Sequence, residues 1–262
     1  LLQTVAKSGG KDLMGKDVKD PIVELFDVSM VYRRTRHRVS SLKQTAIDTI
    51  RRRMAYENFS ALDGVTAQVN RGETLAVIGR NGAGKSTLLK VVARVLPPTS
   101  GRVVVRGSVA PMIELGAGFN PELTGVENIL LYGTLLGRSV AEMRSRIEPI
   151  AEWAGLTEHL DVPLRAYSSG MVARLAFATA TDVTPDLLLI DEVLSVGDVD
   201  FQERSKERTQ QMIDSGCAVV LVTHDLGAVE AMATRALYLE AGVPKAVGKP
   251  KAVIKQYLAD IS

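Results

Sequence analysis

Four short stretches of this chain carry residue types that could work on phosphate. The first is Gly79-Arg80-Asn81-Gly82-Ala83-Gly84-Lys85-Ser86-Thr87, a Gly-x4-Gly-Lys-Ser run that follows an apolar stretch and opens a leucine- and valine-rich one. Strand before and helix after is the context in which such a loop cradles phosphate. Glycines at 79, 82 and 84 permit positive φ and a close approach, so successive N–H groups can turn inward toward phosphate oxygens. The start of the helix near Lys85 adds its own N–H groups and dipole. Lys85 supplies a point charge for β- and γ-phosphates, and the Ser86 hydroxyl is a ligand type for Mg2+.

The second stretch is Asp186-Leu187-Leu188-Leu189-Ile190-Asp191-Glu192, an apolar strand ending in two acids. A carboxylate at the C-terminal edge of a parallel strand sits where open α/β sheets bind ligands, which suits Asp191 to support Mg2+. Glu192 can polarise an attacking water. Taken alone, the pair also reads as acids satisfying a helix dipole. The third stretch, Tyr167-Ser168-Ser169-Gly170-Met171, leads a helical run and offers a second anion-binding helix start; alone it is a good N-cap. The fourth is Thr223-His224-Asp225 after an apolar strand. His224 could hydrogen-bond a γ-phosphate, although a lone histidine is as readily structural.

The elements that must position these residues alternate. Strands are expected over residues 22–28, 102–105, 187–190, 218–222 and 236–240, with helices near 200–214 and 225–233. Helical pattern fills about 118–182, with one helix opening at 122 and another over 141–154, where Trp153 packs. Residues 1–20 read as a flexible leader, 21–245 as the catalytic domain and 246–262 as a C-terminal helix. A basic insert spans about 33–56, and within 41–54 Leu42, Ala46, Ile47, Ile50 and Met54 share one helix face while Arg51, Arg52 and Arg53 cluster at its end. Strand–helix alternation around a helical interruption predicts an α/β fold with a mostly parallel sheet and an inserted helical subdomain.

Composition narrows the classes. The chain has 262 residues, 46% hydrophobic and 24% charged, with a net charge of +2. That balance gives no footing for a nucleic-acid partner. Apolar runs are far too short for a membrane-spanning helix, and no signal peptide is visible in a chain that does not begin with Met. The single Cys217 sits in an apolar run and reads as a small core hydrophobe.

Taken in order, the glycine-rich loop, helical insert, serine-led helix, Asp-Glu strand end and His strand end resemble the nucleotide-binding subunit of ABC transporters over about residues 22–242. The resemblance implies a phosphate-loop NTPase with an ABC-type ATPase core, adding an antiparallel β subdomain. It implies ATP as substrate with Mg2+, bound by Gly79, Asn81, Gly82, Ala83, Gly84, Lys85, Ser86 and Thr87. Asp191 would support the metal, Glu192 would be the base and His224 the γ-phosphate sensor. It maps the signature to Ser168, Ser169 and Gly170, the loop after the acidic strand to Asp198, and the lid glutamine to Glu114, a further metal oxygen. Tyr32 would stack on adenine, with Tyr56 and Phe59 as rivals.

Where the common signature has Leu, Gly and Gln, this chain has Tyr167, Ser169 and Met171. With Glu-Leu-Gly-Ala-Gly-Phe-Asn-Pro-Glu-Leu-Thr-Gly and Asp-Glu-Val-Leu-Ser-Val-Gly-Asp, these departures resemble the cassettes that export O-antigen, teichoic acid and cell-wall galactan. The expected partners are a second copy sandwiching two ATPs, a separate integral-membrane permease and a lipid-linked glycan, at the cytoplasmic face of the cell membrane. No nucleic acid is expected, nor a C-terminal carbohydrate-binding domain. The rival readings are an ATPase acting on nucleic acid through Arg33–Arg53, an inactive scaffold subunit and a cassette for another cargo.

Overall fold

A computed structural model of the chain describes residues 21–35, 56–113, 116–191 and 198–261. Two sheets and a helical layer make up the described protein. The larger sheet has six strands in the order β5 (Val109–Met112), β6 (Leu187–Asp191), β7 (Ala218–Val222), β3 (Thr74–Ile78), β8 (Arg235–Glu240), β9 (Val243–Gly248). All its pairings are parallel except the β8–β9 hairpin. Thr74-Leu75-Ala76-Val77-Ile78 and Ala218-Val219-Val220-Leu221-Val222 are buried at every position. Such unbroken apolar runs suit strands covered by helices on both faces.

The smaller sheet is antiparallel, in the order β2 (Tyr56–Asn70), β1 (Pro21–Thr35), β4 (Ser100–Val105). β1 runs beyond the strand expected over residues 22–28, β2 has no counterpart among the expected strands, and register shifts along their ladder bend them across the core. Residues 33–35, read as the start of the basic insert, continue β1, and Tyr56 opens β2. The remainder of the insert, the helix expected at 41–54 and the leader lie outside the described residues. Helix α1 (Lys85–Val92) buries Leu88, Leu89, Val91 and Val92 between the two sheets.

The helical layer comprises α2 (Gly125–Leu135), α3 (Val140–Arg144), α4 (Ile147–Ala154) and α5 (Ser169–Thr181). The helix expected over 141–154 is two helices, broken at Ser145-Arg146. Pro149 has no N–H to return to the carbonyl of residue 145, so it fits the first turn of a new helix and not the interior of a long one. Trp153 stacks on Phe177 of α5 at 5.4 Å. Helices α6 (Val199–Asp214) and α7 (Leu226–Met232) follow β6 and β7, and α8 (Pro250–Ile261) follows β9. Cys217 is buried, and burial pushes its thiol up to about 12, as a core residue requires. Among the described residues no helix is long and apolar enough to cross a membrane.

Candidate nucleotide site

Strand β3 ends at Ile78, and the next six residues turn the chain into α1. Gly79, Gly82 and Gly84 all take positive φ, at 151°, 80° and 101°. Their reasons differ. A Cβ on Gly79 would run into the Leu239 carbonyl and one on Gly84 into the Ala61 carbonyl, whereas Gly82 has nothing within 4 Å. Close approach to a ligand, expected of all three glycines, therefore describes Gly82. The other two are demanded by the protein's own packing.

The loop is backed by the β8–β9 turn. The Gly242 N–H donates to the Ala83 carbonyl at 3.0 Å, and the Gly242 carbonyl accepts from the Asp63 N–H at 3.0 Å. Lys85 reaches back through the bowl, its Nζ donating to the carbonyls of Gly79 (2.8 Å) and Arg80 (3.1 Å), and is only 8% exposed. The first internal bond of α1 runs from the Leu88 N–H to the Gly84 carbonyl, and no side chain caps the helix. The N–H groups of Lys85, Ser86 and Thr87 thus precede the helical ladder and are directed at whatever the loop holds.

A hollow of about 490 Å3 lies over residues 81–87, walled by Phe59, Ala61, Ile113 and Asp191. Its size suits a nucleotide. The Ser86 hydroxyl and Asp191 carboxylate are both hard oxygen donors on this hollow, a fit for Mg2+, which takes one or two protein oxygens and completes its shell with phosphate and water. Among the described residues no cluster of three or more His, Cys, Asp and Glu forms a dedicated metal cage. Phe59 is 54% exposed at the mouth. Tyr32 is its cross-strand partner, half-buried against the core below.

Register explains why Asp191 arrives here. Met112 pairs with Ile190 and Asp191 with Val222, so β5, β6 and β7 end at one edge beside the loop. His224 follows two residues beyond β7 and is exposed, while Asp225 caps α7 by accepting from the N–H groups of Gly227 and Ala228. Glu114 and Glu192 lie outside the described residues, just past Ile113 and Asp191. Asp198 caps α6, accepting from the Phe201 N–H at 2.9 Å. Asp186, at the far end of β6, has a different use: hydrogen bonds from Arg71 and Ser108 hold its carboxyl at about 2.

Ser168, Ser169 and Gly170 do not line the hollow. Ser168 caps α5, accepting from the Met171 N–H at 3.2 Å, and is exposed. Sequence reasoning passed over Asn128, which is fully buried. Its Oδ1 accepts from the Asn120 N–H, and its Nδ2 donates to the carbonyls of Asn120, Leu123 and Thr124. The sign available for it was a lone amide on an otherwise apolar helix face.

Comparison with known proteins agrees with this geometry. The ABC transporter family model matches residues 62–195. The O-antigen export system ATP-binding protein RfbB of Klebsiella pneumoniae is 39% identical over 240 residues, 91% of this chain and 98% of that protein. The protein of the same name from Myxococcus xanthus is 45% identical over 203 residues, 78% of this chain but 46% of its own length, so the chain spans under half of that longer relative. A solved ATP-binding subunit of an ABC transporter superposes with a TM-score of 0.71 at 25% identity, covering 90% of this chain and 93% of that one. Phosphate loop, acidic strand end, serine-led helix and these matches together place the chain in the ABC transporter family, with the fold of an ATP-binding cassette.

Proposed function

We propose that the chain hydrolyses ATP to drive export of a polysaccharide, as the nucleotide-binding subunit of a transporter whose membrane-spanning part is a separate permease. The observation that carries this reading is the hollow itself, with Lys85, Ser86 and Asp191 facing one space. The export of a glycan rests on the O-antigen relatives and on the Tyr-Ser-Ser-Gly-Met departure from the common signature. A lipid-linked glycan, the permease and the cytoplasmic face of the membrane belong to the same proposal.

Because Ser168 lies off the hollow of its own subunit, two copies arranged head to tail complete each other. Lys85 and the N–H groups of residues 82–87 hold the phosphates of one subunit's nucleotide, and the partner's Ser168 closes over the terminal phosphate. Mg2+ would be held by Ser86 and Asp191, with Glu114 as a further oxygen for it, and would supply neutralisation of the phosphate charge. Glu192 takes the proton of the attacking water, His224 hydrogen-bonds the γ-phosphate, and Asp198 fixes the start of α6. Of the pair Tyr32 and Phe59, Phe59 offers the open ring face to adenine. Positioning and charge neutralisation supply the rate.

Lys85→Ala and Ser168→Arg each remove one half of the shared pocket. Each variant alone is expected to lose turnover by two orders of magnitude or more (about 3 kcal/mol of transition-state stabilisation). Mixed, they form dimers with one intact site, and ATPase activity should reappear in a phosphate-release assay. A mixture no more active than its parents rules out the shared pocket.

A further inference from the structure

We propose that Tyr167 is a positioning residue for Ser168: its hydroxyl bond to the His159 carbonyl sets where the serine stands over a second copy's phosphate. The inference rests on the shared-pocket reading above and deepens it.

Tyr167 immediately precedes Ser168, and both are extended, with φ/ψ of −79°/148° and −69°/159°. Tyr167 is 9% exposed, and its Oη donates to the His159 carbonyl at 2.6 Å, tying the chain back on itself across eight residues. The stretch between hangs from the front of α2 by backbone bonds. Leu164 and Arg165 N–H groups donate to the Leu123 and Pro121 carbonyls, both at 2.9 Å, and the Val126 N–H donates to the Leu160 carbonyl at 3.1 Å. Asn128 holds the carbonyls of Asn120, Leu123 and Thr124. The serine is thus the joint between a short, stitched arm and α5, and Tyr167 is the pin nearest that joint.

Two features separate this from ordinary packing. A leucine or phenylalanine would fill the ring's space without a hydroxyl, and a hydroxyl is tolerated in a buried place only when it is bonded. Gly125 is also cut to this arm: a Cβ there would come within 2.6 Å of the Tyr167 Oη and 3.1 Å of the Leu160 carbonyl oxygen. The other approach to α5 comes from the nucleotide side, where a Cβ on Gly116, three residues past Ile113, would lie 2.9 Å from the Val172 Cγ1. The start of α5 is therefore held between the turn leaving the hollow and the arm ending in Tyr167, so losing the pin displaces Ser168 and not the phosphate loop.

The test compares Tyr167→Phe with its parent in a Glu192→Gln background, using the full chain. Affinity for trinitrophenyl-ATP, read by fluorescence, should stay within about twofold, since the phosphate loop is untouched. ATP- and Mg2+-driven dimerisation, read by sedimentation velocity, should weaken about tenfold for one lost hydrogen bond. Gly125→Ala, whose Cβ would meet both the Tyr167 Oη and the Leu160 backbone of the same arm, should weaken dimerisation in the same direction, and unchanged dimerisation there counts against the arm. Unchanged dimerisation overturns the proposal, and so does a parallel fall in nucleotide affinity and melting temperature, which marks a role in folding alone. If the parent itself stays monomeric with ATP, the shared pocket fails and this proposal falls with it.

Discussion

The Asp186 carboxylate accepts from the Arg71 guanidinium and from both the N–H and the hydroxyl of Ser108, and these bonds hold it at about 2 against an ordinary 3.8. A carboxylate depressed in the folded state stabilises above its unfolded value, and the contribution fades as pH falls from 3.8 toward about 2. Its side chain is 35% exposed, so solvent screening limits the effect to about 1 kcal/mol or less. Asp186→Asn should lower the melting temperature at pH 7, with the difference from wild type closing through that acid window in pH-dependent thermal melts. Asp191, five residues along the same strand, faces the hollow instead. Sequence spacing distinguished the two acids, because only the second follows an apolar strand. It also marked Lys85 and Ser86. It puts Tyr32 ahead of Tyr56 and Phe59, whereas the exposure of Phe59 at the mouth depends on the β1–β2 register, whose shifts no local pattern announces.

Helix α2 opens with a reciprocal cap. Thr124 Oγ1 accepts from the Glu127 N–H at 3.2 Å, and Glu127 Oε2 accepts from the Thr124 N–H at 2.8 Å. That backbone bond, with one from the Thr124 hydroxyl, lowers the Glu127 pKa. Thr124→Ala removes the cap without opening a core cavity and should cost about 1 kcal/mol in urea denaturation. The Thr-Gly-Val-Glu spacing makes this start legible from sequence, three residues after the pattern alone would put it. Other elements were less open. β2 was missed although Val65, Ala67 and Val69 alternate, because Gly64 interrupts the run and the basic insert dominates what precedes it. Pro149, in the first turn of α4, is the local sign that separates α3 from α4 against an apolar periodicity that runs through both.

Across the molecule, helices are tied to one another by charge and aromatic contacts between residues far apart in sequence. Burial works to raise the Asp182 carboxyl at the end of α5, but hydrogen bonds from Arg146 and Arg138 outweigh it and carry the pKa below the usual range. Arg204 and Arg208 of α6 lie over the Trp153 ring at 5.0 and 4.5 Å, and Trp153 also meets Phe201 edge-on at 5.3 Å. Trp153→Ala removes the stack and both cation–π contacts, and should cost about 3 kcal/mol of stability in denaturant unfolding. Affinity for an ATP analogue should stay near wild type, because Trp153 is not part of the hollow. That Trp153 packs was evident from its helical setting. Its arginine partners were not, since nothing in the spacing of residues 153 and 208 brings them together.

Two backbone bonds at Gly242, one to Ala83 and one from Asp63, run in series from the antiparallel sheet through a hairpin to the phosphate loop. Phe59, where a ring could rest, belongs to the first of these parts, and Lys85, where charge is met, follows the last. The span between the two ends of a nucleotide is therefore gauged by how one sheet is hung upon the other. A ligand lacking either its ring or its phosphates would engage one sheet and leave the second without a hold.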